Sequence, residues 1–295
     1  MSGFSEDFPI LSRQIQCIAD YLFGRNHRDE LVKLDEVAHE TEIDRADAVR
    51  LLRKLEAKEI VDIDGQDVRL MGLGVSLYED RCIPEFVLGL SFSLEKYRAA
   101  VVRIIVGRPE GGEAAGTGFF VTAPQNRIIT NRHVVFRRTI IRIEDEHGEA
   151  LSTGPLQIKL GPEDLDLAAI QCPPPHNVTP IPVDWRPDSA HELDEVLVLS
   201  YPDIALTKPA LYPATGKVGI LGDLLIGRKS LLISGVASAG SSGGPVISVK
   251  GKAIGIVAHE AESQGTGATR IFVGAIPGHY LGEIFPPNED GLSNR

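Results

Sequence analysis

Cysteine is scarce in this chain: Cys17, Cys82 and Cys172 are the only three among 295 residues. An odd, widely scattered set fits neither a disulfide frame nor a zinc site, and it suits thiols kept reduced in a cytoplasmic setting. Long apolar runs are missing too. Stretches such as Ala99–Val106 are strand-sized and carry Arg103, so no membrane span is expected. The N-terminal "MSGFSEDFPI" is acidic and lacks the apolar core of a secretory signal. Positive charge is also in short supply, with 30 Lys/Arg against 41 Asp/Glu and a net charge of -11. Such a chain as a whole is not drawn to nucleic acid or anionic lipid. The remaining composition, 43% hydrophobic and 24% charged, is that of a globular protein of one large or two ordinary domains.

Two grammars follow each other along the chain. Ile10, Gln14/Ile15, Ile18 and Leu22 recur at helical spacing, and "RNH" after Gly24 is a stop. Leu34–Thr41 reads as a short helix. Asp44 with Asp47 resembles a capping box opening a helix over Arg45–Lys58, whose apolar face is Val49, Leu52 and Leu55. "EIVDIDGQDVRLMGLG" alternates around an Asp-Gly pair, which predicts a β-hairpin. Helix, helix-turn-helix and hairpin together resemble a winged helix, assigned to residues 8–80, with 81–92 as a linker.

From about Phe92 the pattern changes to short β-branched runs separated by Gly, Pro, Asn and Asp: "AAVVRIIVG", "GTGFFVTA", "RIIT", "LAAIQC", "EVLVLSYP", "PVISVKGKAIGIVA". Many short strands with turn signals predict an all-β barrel or sandwich over residues 93–288. A short helix near Gly278–Phe285 and a polar tail over 289–295 close the chain. The expected class is therefore multi-domain: a small α(+β) unit followed by an all-β domain.

Serine catalysis needs a base beside the hydroxyl, an acid to orient the base, and fixed N–H donors for the oxyanion. "RIITNRHVVF" sets His133 just past an apolar strand, "DLDLAAIQC" sets Asp166 just before another, and "GSSGGPV" sets Ser242 in a glycine-rich turn. Singly, each reads as an ordinary loop or packed residue; their joint order and strand context point to a triad. "GSSGG" also fits the nucleophile elbow G-x-S-x-G, but that fold needs its acid and histidine after the serine on a parallel α/β sheet. Only His259 and His279 follow Ser242, and strand–helix alternation is absent, so this reading is rejected.

The ordered series "GTGFFVT…RIITNRHVV", "DLDLAAI", "GSSGGPVIS" and "FVGAIP" resembles trypsin-like serine proteases over roughly residues 98–285, with HtrA-type motifs TNxHV, DxA and GNSGGP as the nearest pattern. The resemblance implies a double-barrel protease domain. It implies Ser242 as nucleophile, His133 as general base and then acid, Asp166 as the orienting carboxylate, and the Gly240 and Ser242 amides as oxyanion donors. Asp164 would be a solvated neighbour. A side chain at 240 would obstruct the backbone turn that points its N–H inward.

Departures from the family carry meaning. Ser241 stands where secreted trypsins hold the Asp that pairs with a freed N-terminus, so activation by that ion pair is not expected. The disulfide flanking the catalytic histidine of animal members is missing, and the stretch after "FVGAIP" leaves no room for the PDZ domain that usually follows in HtrA proteins. By the resemblance the base of the S1 pocket is Val236, which disfavours Lys or Arg at P1 and favours a small or medium apolar residue. His259 and Glu260 read as binding-cleft residues, while His27, His39, His147, His176, His191 and His279 read as structural. No His/Cys cluster has metal-ligand spacing and no phosphate loop is present, so neither metal nor cofactor is expected.

The expected partners are a protein or peptide substrate and a protein activator or adaptor on the N-terminal unit. Arg50, Lys54 and Lys58 form a basic stripe suited to DNA, yet residues 1–90 hold 11 Lys/Arg against 19 Asp/Glu, an unfavourable field for phosphate contacts. The alternative to a regulated serine endopeptidase is a winged-helix DNA-binding regulator with the β domain as sensor. A triad-bearing domain that binds without turnover is a third class.

Overall fold

In a computed structural model the chain is described over residues 7–24, 31–122, 127–152, 156–204, 209–223, 228–235, 239–262 and 271–284. It divides into two compact units, Met1–Glu95 and Lys96–Arg295.

The first unit begins with α1 (Phe8–Gly24), β1 (Val32–Lys33), α2 (Leu34–Thr41) and α3 (Arg45–Glu56). The hairpin β2 (Val61–Asp64) and β3 (Asp67–Leu70) and the helices α4 (Gly72–Glu79) and α5 (Ile83–Tyr97) follow. The core side of α1 is Leu11, Ile15, Ile18 and Leu22. Ile15, Ile18 and Leu22 are buried as the spacing predicts, but Ile10 is 61% exposed and Leu11 takes its place. In α3 the buried face is Ala48, Leu51, Leu52 and Leu55, with Val49 only partly covered. Asp44 caps this helix through the Ala46 N–H at 2.8 Å. Asp47 does not complete a capping box; it pairs with Arg50 one turn on, at 2.9 Å. The hairpin turns at Gly65, whose φ of 60° suits the first position of a two-residue loop, and β1 joins β3 to give the order β1-β3-β2. Residues 81–92, read as a linker, are mostly within α5, which breaks at Gly89 where φ is 76° and ψ is -168°.

The second unit holds β4 (Val101–Gly107), β5 (Glu113–Val121), β6 (Arg127–Thr130), the one-turn helix α6 (Arg132–Val135), β7 (Thr139–Glu144), β8 (Ala150–Ser152), β9 (Ile158–Leu160) and β10 (Ala168–Gln171). These strands make an antiparallel sheet of order β8-β7-β4-β5-β6-β10-β9. There follow β11 (Glu195–Ser200), β12 (Tyr212–Asp223), β13 (Lys229–Ser234), β14 (Pro245–Ser248), β15 (Ala253–Glu262), β16 (Ile271–Pro277) and a 3₁₀ helix over Gly278–Glu283. This second group closes into a barrel of order β11-β12-β13-β16-β15-β14. Hydrogen-bonded closure thus belongs to the second group, while the first runs as a seven-stranded order between edges β8 and β9. Val101, Val102, Ile104, Ile105 and Val106 in β4 are all buried, as expected for a strand covered on both faces. No helix of the described residues is long and apolar enough to cross a membrane.

One buried charge is built into this unit. Asp184 is 5% exposed, and its carboxylate accepts from Arg186 Nε at 2.9 Å and Nη2 at 2.6 Å. Burial pushes the carboxyl up, but the Arg186 fork and the Arg186 N–H outweigh it and hold the group below the ordinary aspartate value. A depressed carboxyl contributes stability above its unfolded value of about 3.9, and that stability is lost as pH falls through the folded value. Asp184→Asn is therefore expected to unfold at lower urea than wild type at pH 7. The gap should narrow as pH drops below about 4; a pH series of urea titrations measures both.

Candidate active site

His133 sits in α6, one turn past the end of β6, and Asp166 lies just before β10, the neighbour of β6. The strand pairing thus brings the two segments together. The carboxylate of Asp166 uses both oxygens on one residue: Oδ1 accepts the His133 main-chain N–H at 2.8 Å, and Oδ2 lies 2.6 Å from His133 Nδ1. This contact sets Nδ1 as the protonated nitrogen of a neutral ring and leaves the Nε2 lone pair free. The ring is accessible, with 47% of the His133 side chain exposed.

The loop carrying Asp166 is held from several sides. Arg132 Nη1 donates to the Gly161 carbonyl at 2.8 Å, and Asn131 Nδ2 donates to the Asp166 carbonyl at 2.9 Å. Asp164 is not merely solvated, as the sequence led us to expect. It forms an ion pair with Arg228 at 2.7 Å, and this hydrogen bond holds its carboxyl below the usual range. Arg228 also pairs with Glu283 and lies over the Tyr280 ring.

Ser242 lies in the turn that leads into β14. Gly243 N–H donates to the Val257 carbonyl at 2.8 Å and Gly244 N–H to the Ser241 carbonyl at 3.1 Å. Gly240 and Gly243 both have φ of 91°, a region open to glycine and strained for other residues. A Cβ on Gly243 would stand 2.0 Å from the Thr117 carbonyl, and one on Gly240 would stand 2.4 Å from the Tyr201 carbonyl. The Ala239 carbonyl accepts from Asp203 N–H at 2.5 Å. Because a trans peptide points its C=O and N–H in opposite directions, this bond aims the Gly240 N–H away from Asp203. Among the described residues, neither the Gly240 nor the Ser242 amide donates a hydrogen bond. The Ser242 hydroxyl donates to the Ala258 carbonyl at 3.3 Å, long for an O–H donor.

What joins these two halves is β5. A Cβ at Gly116 would meet Val134, the residue after His133, at 2.6 Å, so the strand runs directly beneath α6. The next residue, Thr117, is fully buried, and its N–H donates to the Ser242 carbonyl at 2.8 Å. Its hydroxyl donates to the Gly240 carbonyl at 2.7 Å and accepts from Tyr201 N–H at 2.9 Å. Its own carbonyl accepts from Thr130 Oγ1 at 2.7 Å. The helix α6, through Val134, and the Ser242 turn therefore meet on one dipeptide, Gly116–Thr117. Sequence reading missed Thr117, Thr130, Asn131 and Tyr201; the only signals were their places in "GTG", "TNRH" and "SYP".

The remaining sequence-stated residues are quickly placed. Val236 lies outside the described residues. His259 and Glu260 belong to the backbone of β15, opposite Gly274 and Val273, and their side chains lie outside the described set. Cys172 is buried, and burial pushes its thiol up, so it is no nucleophile. No cluster of three metal-ligating side chains occurs among the described residues.

Residues 116–256 match the family model of the trypsin-like peptidase domain. No curated protein matches the chain. Among solved structures, the HtrA-type protease AlgW with a tripeptide is similar at 19% identity and a TM-score of 0.54, over 68% of this chain and 63% of that one. The serine endoprotease from Yersinia pestis is similar at 21% identity and a TM-score of 0.51, over 65% of this chain and 64% of that one. The chain thus spans less than two thirds of either structure, and at these identities the likeness is one of fold. Residues 116–256 of the second unit are thus similar to the trypsin-like peptidase domain, in a fold shared with these structures.

Thr117 generates a structural prediction. Thr117→Val keeps the shape but removes a hydroxyl that serves the buried Tyr201 N–H and the half-buried Gly240 carbonyl, at a cost of about 1–3 kcal/mol for the buried group left unpaired. Urea unfolding should show the full loss in Thr117→Val and only a small one in Thr117→Ser.

Proposed function

We propose that this chain is a serine endopeptidase that cleaves protein substrates through an acyl-enzyme. The observation that carries the reading is the meeting of α6, which bears the His133 paired to Asp166, and the Ser242 turn on Gly116–Thr117, with two amides of that turn undonated among the described residues.

The chemistry follows from the geometry. A small rotation releases the Ser242 hydroxyl from its weak bond to Ala258 toward His133 Nε2, which takes its proton as Oγ attacks the substrate carbonyl. The imidazolium formed is stabilised by Asp166, already in contact at Nδ1. The oxyanion is received by the Gly240 and Ser242 N–H groups, which need no reorganisation because the turn is held in advance. His133 then protonates the leaving amine, and water repeats the sequence to release the acyl group. The preference for a small or medium apolar P1 residue inferred from Val236 belongs to this proposal, as does a cytoplasmic setting compatible with three free thiols.

The N-terminal unit is read as a winged helix. Supporting this is its element order α1-β1-α2-α3-β2-β3 with the sheet order β1-β3-β2. We assign it to docking a protein activator or adaptor rather than DNA. Of the expected basic stripe, Arg50 on α3 is engaged by Asp47, and Lys58, past the end of α3, lies over the Phe86 ring. The residues around it are predominantly acidic.

A fluorophosphonate probe is expected to label wild type and to fail with Ser242→Ala and His133→Ala. On a peptide library, Ser242→Ala should lose on the order of 10⁶ in kcat and Asp166→Asn about 10⁴. Wild-type cleavage should favour small or medium apolar P1 residues. Labelling that survives Ser242→Ala refutes the assignment of the nucleophile, and a strong Arg or Lys preference at P1 refutes the role given to Val236.

A further inference from the structure

Asn131 belongs to no part of the mechanism above, yet it touches the segment on which that mechanism turns. It is fully buried, and its two amide atoms have opposite fates. Nδ2 donates to the Asp166 main-chain carbonyl at 2.9 Å, while Oδ1 is buried and accepts nothing from any described residue. A position chosen for stability alone would hold an apolar side chain of the same size, or an amide with both ends bonded.

The Asp166 backbone needs an anchor of this kind. Leu167 N–H donates to the Leu165 carbonyl at 2.7 Å, so Asp166 is the central residue of a three-residue turn rather than part of a ladder. Its carbonyl leaves the strand direction and is caught by Asn131. Its carboxylate is caught two residues further along the same segment, by the His133 N–H at 2.8 Å and by Nδ1. Three groups within Asn131–His133 thus close a ring on one aspartate. Without the Asn131 amide, the carboxylate would be tethered only to the histidine it has to orient, and would follow the ring instead of fixing it.

We infer that Asn131 is a positioning residue of the candidate site: its amide fixes the Asp166 main chain and thereby the carboxylate that aligns His133. The inference rests on the peptidase reading for its kinetic consequence, but not for its structural one.

Asn131→Leu keeps the branching at Cγ with somewhat larger ends, removes the donor and removes the unsatisfied Oδ1. The expected result is an unchanged or raised melting temperature, an unchanged KM, and kcat lower by about 10- to 100-fold, the scale of a small misplacement of a reacting group. In an Asp166→Ala background, the same substitution is expected to have no further effect on kcat, because its route through Asp166 is already gone. Independently of turnover, proton NMR should show a low-field signal for the His133 Nδ1–H, absent in His133→Ala, which shifts or broadens in Asn131→Leu. Unchanged kcat with an unchanged signal overturns the proposal. So does a further loss in the Asp166→Ala background, or a failure of Asn131→Leu to fold, since either makes the amide a structural requirement. If wild type is neither active nor labelled by the probe while the NMR signal responds as stated, the peptidase reading fails and the link from Asn131 to His133 stands.

Discussion

The hydrogen bonds of Thr117 are the constraint on which the site depends. This residue belongs to β5, in the seven-stranded sheet, but its hydroxyl and N–H hold the Gly240 and Ser242 carbonyls of a turn that leads into the barrel. In the chemistry we propose, the two sheets contribute different parts, the first the histidine and aspartate, the second the serine and its neighbouring amides. Neither part acts alone, so something must fix one against the other. Thr117 does so in a buried setting, where fully satisfied polar groups rigidify and an unpaired one is costly.

The Asp166 loop applies the same logic inside the first sheet. Its carboxylate is spent wholly on His133, its carbonyl on Asn131, and its neighbour Asp164 on Arg228. The Asp164–Arg228 pair is partly exposed, and such a pair contributes little energy. Its value is positional, because it connects the loop to the start of β13 and, through Glu283 and Tyr280, to the terminal 3₁₀ helix.

Local features were legible in the sequence. α2 spans Leu34–Thr41 as the spacing predicted, Asp44 caps α3, and the short β-branched runs became strands. The misreadings were also local. The α1 stripe runs through Leu11 rather than Ile10, and Asp47 pairs forward to Arg50 instead of back to the cap, because an arginine one turn on competes for the carboxylate. Residues 81–92 are mostly helical, with Pro84 in the first turn and Gly89 marking the break. The motifs flanking His133, Asp166 and Ser242 stood out through their order alone. The residues that connect them did not. Thr117 reaches partners 84 and 123 positions away, and Asn131 one 35 positions away, and no periodicity records such contacts.

Central to the proposed chemistry is that the turn at 240–242, held by Thr117 through the Gly240 and Ser242 carbonyls, offers its two amides to an oxyanion. A crystal structure of the protein after reaction with a peptidyl phosphonate measures this most directly. The account predicts a phosphorus–oxygen bond at Ser242 Oγ with the phosphonyl oxygen within hydrogen-bond distance of both the Gly240 and Ser242 N–H groups, and Thr117 bonded as it is now. An adduct whose oxygen points to solvent, or one that forms only after the Thr117 bonds have broken, would contradict it.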